Sequence, residues 1–340
     1  MYIYCAKDII NPLYIHFLCG NKYVKKNVED KRNILKSYID SLNNNYALIL
    51  EKLFRPSEYM DMGFKDLEEV ELMASNYAKS IIILHETVST AAEIALFGSK
   101  RDLKNKLLVI YAPCSKIETD VVGSFIRFAY FKDNKIQNSE FDYNTKLHTS
   151  KKGNVSYYNT YFPNNKIDDI FKGLLDNFWK FSYTKMDISF NKYNVLCRKE
   201  NYYKISKKNI FIKLNYEFIL SIVLSILLNN DLIREIRLKE DVVKNMCSLI
   251  KEILINTIST HELINIDDYS IDIKASFNQD INLPVRFCIY VLIKAGLINI
   301  RNEQISITSK FKMQNDEYKL LLQYIDEPNF FKDFEGDING

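Results

Sequence analysis

Residues 80–98 read SIIILHETVSTAAEIALFG, and this stretch decides the fold. The aliphatic run 81–84 has the length of a buried strand. It stops at a polar loop, 85–90, and an alanine-rich helix then begins and carries a carboxylate, Glu93, in its first turn. A strand passing directly into a helix is half of a βαβ unit. In open α/β sheets ligands bind at the carboxyl ends of the strands, so a lone glutamate there, preceded by Ser89 and Thr90, is a candidate catalytic group.

Working outward, the same alternation recurs on both sides. Residues 14–18 predict a strand ending in Cys19-Gly20. A helix over 28–42 follows, with Val28, Leu35, Tyr38, Ile39 and Leu42 on one face. A second strand is expected over 46–50. A helix over 67–78 carries Leu67, Val70, Met73, Ala74 and Tyr77 on one side, and a further strand is expected over 107–111. Strands alternating with helices imply an α/β fold with a doubly wound parallel sheet over residues 1–135. Residues 136–213 read as a linking or extended module. Its Asn-, Lys- and Tyr-rich start lacks a period, and its amphipathic helix over 167–181 bears the single tryptophan, Trp179. Residues 214–312 are mostly helical, with helices over 216–229, 241–259 and 284–295. The last stops at Gly296, and two β-like runs, 297–300 and 304–308, flank a polar turn. Helices followed by a small hairpin suggest a winged helix-turn-helix. Residues 313–340 read as a tail.

Composition narrows the classes. The chain has 340 residues, 47% hydrophobic and 26% charged, with a net charge of +3, so no global basic field announces a nucleic-acid partner. Six cysteines without CxxC spacing form neither a disulfide framework nor a zinc site, and suggest a reducing cytoplasm. The longest apolar stretch, 218–228, is too short to span a bilayer, and the N-terminus lacks a secretory pattern. The four histidines have no metal-ligand spacing, and no metal is expected. There is no GxGxxG, Walker A loop, GxSxG elbow or HExxH, which argues against a nucleotide-driven motor, a serine hydrolase and a zinc enzyme.

Glu93 supports two readings. Thr90-Ala91-Ala92-Glu93 fits a capping box, a structural role. Alternatively, a carboxylate kept ionised by the helix dipole at a strand end can stabilise or trap an oxocarbenium-like sugar carbon, and is poorly placed as an acid unless burial raises its pKa. Gly20 would allow close backbone approach to a ligand. Ser89 and Thr90 offer hydroxyl and amide donors at a helix start. His85 sits at the same strand end, Glu71 on the preceding helix, and Asp61 in the loop before it; each is a candidate substrate contact, though a loop histidine and solvated acids are the plainer readings. Toward the C-terminus, Lys207, Lys208 and Lys213 gather near Tyr202 and Tyr203, a pattern able to stack on and neutralise single-stranded nucleic acid, or simply a solvated linker. The helix over 284–295 offers Arg286 and Lys294, sparse for reading DNA.

The first domain resembles the nucleoside deoxyribosyltransferase-like superfamily, through Ile15-His16-Phe17-Leu18-Cys19-Gly20 and through 81–84 with Ser89-Thr90-Ala91-Ala92-Glu93-Ile94-Ala95. The resemblance puts the catalytic glutamate at Glu93. Two glycines typical of that segment are replaced, by Ser89 or Thr90 and by Ala95. The whole layout, with 283–309 (LPVRFCIYVLIKAGLINIRNEQISITS) as its C-terminal match, resembles the retron effector proteins of the St85/Ec86-like family. That resemblance implies an antiphage toxin held inactive by a reverse transcriptase and its msDNA and non-coding RNA in a higher-order assembly. It further implies a nucleotide N-glycosidase without a cofactor, NAD being the expected substrate, and no membrane partner. Two other classes compete: a nucleotide-sensing DNA-binding regulator with a non-catalytic α/β domain, and an interaction protein with a vestigial one.

Overall fold

The computed structural model describes residues 1–22, 28–53, 63–111, 140–142, 147–149, 156–158, 161–182, 186–195, 200–237, 241–301, 304–312 and 316–325. The chain divides into two compact units, Leu13–Lys185 and a second built from Met1–Pro12 together with Met186–Gly340.

The first unit holds the sheet expected from the alternation. Its strands are β1 (Tyr14–Gly20), β2 (Asn45–Ile49), β3 (Ser80–His85), β4 (Leu107–Tyr111) and β5 (Glu140–Asp142). They lie in the order β2-β1-β3-β4-β5, and every neighbouring pair is parallel. Ile81, Ile82, Ile83 and Leu84 are all buried, which is why the run is continuously apolar: a central parallel strand is covered on both faces. The helices are α1 (Lys31–Ser41), α2 (Leu67–Tyr77), α3 (Val88–Gly98) and α4 (Asp169–Ser182). Ile34, Leu35 and Ile39 of α1 and Phe171, Leu175 and Phe178 of α4 share one core with Leu18, Ile82, Leu84 and Leu108. Strand residues of the other parity, Cys19 and Ile83 among them, face the opposite side, where α2 and α3 pack. After β2 the chain crosses to the other side of β1 to enter β3. The carboxyl ends of β1 and β3 therefore flank the topological switch point, where such sheets bind ligands.

Helix α4 departs from the sequence reading. It was expected inside a linking module, but its stripe Phe171, Leu175, Phe178 (spacing 4 and 3) completes the core that α1 begins. Trp179 confirms the placement: its indole N–H donates to Ser80 Oγ at 3.3 Å, and its ring lies 5.1 Å from that of His16. The first unit thus reaches residue 185 rather than 135.

In the second unit the strands are β6 (Asn191–Lys192), β7 (Tyr202–Ile205), β8 (Asn209–Leu214) and β9 (Ser270–Ala275), forming one sheet in the order β9-β8-β7-β6. The stretch around 200–213, ambiguous in sequence, is the antiparallel hairpin β7–β8. Helices α5 (Tyr216–Leu228), α6 (Asn230–Arg237), α7 (Val242–Glu262) and α8 (Asn282–Lys294) follow, and every residue of α5 except Glu217 is buried. Among the described residues no single helix is long and apolar enough to cross a membrane. The hairpin expected after α8 is present, as β10 (Ile298–Arg301) antiparallel to β11 (Gln304–Ile307), and Gly296 ahead of it takes φ +72°. The expected tail is structured in part: Leu322–Tyr324 pairs antiparallel with Tyr2–Tyr4.

Candidate active site

Gly20 ends β1 with φ +153°, and a Cβ there would lie 3.1 Å from Leu84 Cβ and 3.4 Å from Arg32 Cδ. Only glycine fits so close an approach. Its carbonyl accepts from Arg32 Nη1 at 2.7 Å. Arg32, in the first turn of α1, is fully buried, and its guanidinium makes three further donations. Nε reaches Asp30 Oδ1 at 3.1 Å, Nη2 reaches Asp30 Oδ2 at 2.8 Å, and Nη1 reaches Glu51 Oε2 at 2.6 Å. Asp30 also caps α1, accepting from the Arg32 N–H at 2.9 Å. A buried guanidinium is tolerable only when paired in this way. Beside it, Lys31 pairs with Glu86.

Three carboxyl groups meet at this edge, each from a different element. Glu51 comes from the short helix Leu50–Leu53 after β2, Glu71 from α2 and Glu93 from α3. The Glu93 carboxyl is pushed up to about 8, first by burial and then by the charges of Glu71 and Glu51. Arg32 and a hydrogen bond from the buried Cys19 thiol oppose the shift. The Glu71 carboxyl is pushed up to about 7, first by burial and then by Glu51 and Glu68. Burial and the same carboxylates push the Cys19 thiol well above its ordinary value. Among the described residues, Glu93 Oε2 is buried and has no hydrogen-bond partner. Buried polar atoms are normally paired, so an orphan in such a cluster is a candidate contact for a substrate or a proton.

Two expectations about Glu93 are corrected. Helix α3 starts at Val88 behind the cap Thr87, so Glu93 lies in the second turn and belongs to no capping box. There the helix dipole is weak and burial outweighs it, so the group is not held ionised. The reciprocal cap is made by Thr87 and Thr90, whose Oγ1 accepts the Thr87 N–H at 3.2 Å.

The structure brings Gly20, Glu71 and Glu93 together. Thr90 is buried and knots the β3–α3 turn: its hydroxyl donates to Thr87 O at 2.7 Å and meets His85 Nδ1 at 2.8 Å. Burial pushes the His85 imidazole below its ordinary value, Glu86 being the charge that opposes this. His85 and Thr90 therefore organise the loop. Ser89 is exposed, its Oγ 3.0 Å from Thr87 Oγ1. Asp61 lies outside the described residues. Arg32, Asp30, Glu51 and Cys19 were missed; the one local hint was the charged run Glu29-Asp30-Lys31-Arg32 close behind a strand end.

Of the C-terminal cations, Lys207 and Lys208 are exposed in the β7–β8 turn and Lys213 is on β8 opposite Tyr202. Arg286 is half-buried on α8, and the Lys294 ammonium lies 4.9 Å from the Tyr290 ring centroid. A family model described as STM3845 retron effector protein matches residues 28–300. No curated protein matches the chain.

Proposed function

Since the chain belongs to the STM3845 retron effector protein family, and is thus a retron-associated effector, we propose that it is a toxin that cleaves the base–ribose bond of a nucleotide, with NAD as substrate. The observation that carries this reading is the orphaned, buried Oε2 of Glu93 within a cluster of three carboxyl groups at the switch point. The C1′–N bond breaks and nicotinamide leaves with the bonding electrons. Water adds to C1′ and loses a proton, giving nicotinamide, ADP-ribose and H⁺. Glu93 stabilises or traps the ribosyl cation, for which it must be ionised. In the free protein its carboxyl is mostly neutral at pH 7. The positive nicotinamide ring lowers that pKa on arrival, so the charge develops where the substrate needs it. Glu71, near 7, is suited to accept the proton of the attacking water. Gly20 lets the substrate approach the backbone of β1, and the loop with His85, Ser89 and Thr90 closes the other side.

In this reading the first unit is the deoxyribosyltransferase-like catalytic part and β10–β11 with α8 is the wing of a winged helix. The second unit docks onto the reverse transcriptase and its msDNA through Lys207, Lys208, Lys213, Arg286 and Lys294, and docking keeps the toxin silent. The test is chromatography of NAD incubated with purified wild-type protein and with Glu93→Gln. Wild type should release nicotinamide and the variant should be slower by roughly 100-fold or more. A fully active Glu93→Gln refutes the assignment. Intact NAD alongside base loss from another nucleotide keeps the glycosidase and changes its substrate.

A further inference from the structure

We infer that the outer face of the sheet β9-β8-β7-β6 is a stacking platform for single-stranded nucleic acid. Side chains alternate along a strand. On β7 and β8, Tyr203, Ile210, Ile212 and Leu214 are buried beneath the sheet. The opposite parity carries Tyr202, Lys204, Phe211 and Lys213, all half-buried or exposed. Pairing sets Tyr202 against Lys213 and Lys204 against Phe211, so rings and ammonium groups form a checkerboard, and Lys213 is flanked by Lys274 of β9. Tyr193, just past β6, extends the row. Its ring centroid lies 4.9 Å from that of Tyr202, which is 6.3 Å from that of Phe211. The Lys204 ammonium sits 3.7 Å from the Tyr193 centroid. Lys207 and Lys208 stand at one end, in the hairpin turn. Of the acids near this face, Asp272 on β9 pairs with Lys274 at 3.3 Å, and Glu200, two residues before Tyr202, accepts from Asn215 Nδ2 at 3.1 Å.

The chemistry selects the occupant. An acidic peptide would use the lysines and leave the rings idle. An apolar partner would bury ammonium groups unpaired. A nucleic-acid strand uses both, bases on the rings and phosphates on the lysines, and the bases must be unpaired to expose their faces. Such a platform gives the proposed nucleic-acid docking its own surface, resting on that part of the functional reading and on no step of the glycosidase chemistry.

The experiment measures fluorescence anisotropy with the full-length protein and a labelled oligothymidylate of about 20 nucleotides, against a duplex of equal length, at salt between about 50 and 200 mM. The single strand should bind more tightly than the duplex. Tyr202→Ala and Tyr193→Ala should each weaken binding about 5- to 100-fold, while Tyr202→Phe, which keeps the ring, should bind like wild type. Lys204→Ala and Lys213→Ala should each flatten the salt slope by about 0.7. Lys251→Ala, at an exposed position on α7, should change nothing. No binding at low salt, equal affinity for the duplex, competition by polyglutamate that equals the oligonucleotide's, or indifference to both tyrosine truncations would each overturn the platform. Base release from NAD and from other nucleotides is read on parallel samples of the same protein without oligonucleotide. Its absence for every nucleotide, with oligonucleotide binding intact, condemns the catalytic reading and leaves the platform standing.

Discussion

At Glu93 a buried carboxyl carries a pKa near 8 where an unfolded chain would hold it near its ordinary 4.5. The folded state therefore binds more protons than the unfolded state between those values, and stability falls as pH rises through that window. Glu93→Gln removes the ionisation while keeping size. Its stability should match wild type near pH 4 and exceed it increasingly up to pH 9, by about 5 kcal/mol at most, given about 1.4 kcal/mol per pKa unit, and its melting temperature should rise accordingly. Thermal melts across pH check this, and a constant offset would mean that the carboxyl is solvated. Activity runs the other way: nicotinamide release should climb with pH as the Glu71–Glu93 pair ionises. Glu71→Gln removes a neighbouring charge that raises Glu93, so what activity remains should have its rising limb displaced toward acid, visible in the pH profile of kcat/KM.

At the scale of elements, the site depends on what holds the end of β1 against α1. Gly20→Ala places a Cβ 3.1 Å from Leu84 Cβ at a backbone angle that disfavours side chains, and should cost about 1–3 kcal/mol in denaturant unfolding. Arg32→Ala leaves buried Asp30 without its partner and should cost about 3–5 kcal/mol by the same measurement. The elements themselves were largely legible, because β1–β4 and α1–α3 each carry their own hydrophobic period, and the expected and observed bounds of β4 coincide, whereas β5 lies in the stretch without a period that was expected to be a linking module. Glu93, Gly20 and Glu71 were legible too, because a strand end and a preceding helix can be located from the pattern. Arg32, Glu51 and Cys19 were not. Their meaning arises from parallel register, which sets Leu18 beside Ile49 and Gly20 beside Leu84, and no local spacing encodes that. Helix α4 was legible as a helix but not as a layer of the first unit, since its stripe says only that it packs, not against what. The platform on β7–β8 was half legible: the lysines and tyrosines were visible, but the alternation that puts them on one face needed the strand assignment.

For the whole molecule, the second unit is closed by both ends of the chain. Tyr4 is buried, its hydroxyl donates to Ile188 O at 2.7 Å and its N–H to Thr257 Oγ1 at 2.8 Å. Tyr4→Ala should therefore destabilise a unit whose other residues begin at 186, by about 3–5 kcal/mol in chemical unfolding. The first unit is an uninterrupted segment with its own core, so a fragment of residues 13–185 should fold alone, with cooperative melting, and release nicotinamide from NAD without binding oligothymidylate. A fragment without cooperative melting would show that the units share their stability. The same closure sets a timetable at the ribosome. The first unit is finished at residue 185, whereas the N-terminal strand made first must wait for Leu322–Tyr324 to emerge. At ordinary elongation speeds, synthesis of residues 186–325 takes about 7–28 s. On the proposed reading, every nascent chain would carry a finished catalytic half for that interval and no completed handle by which to restrain it, so cells would tolerate this protein only if its translation is fast, sparse or guarded from the first half onward.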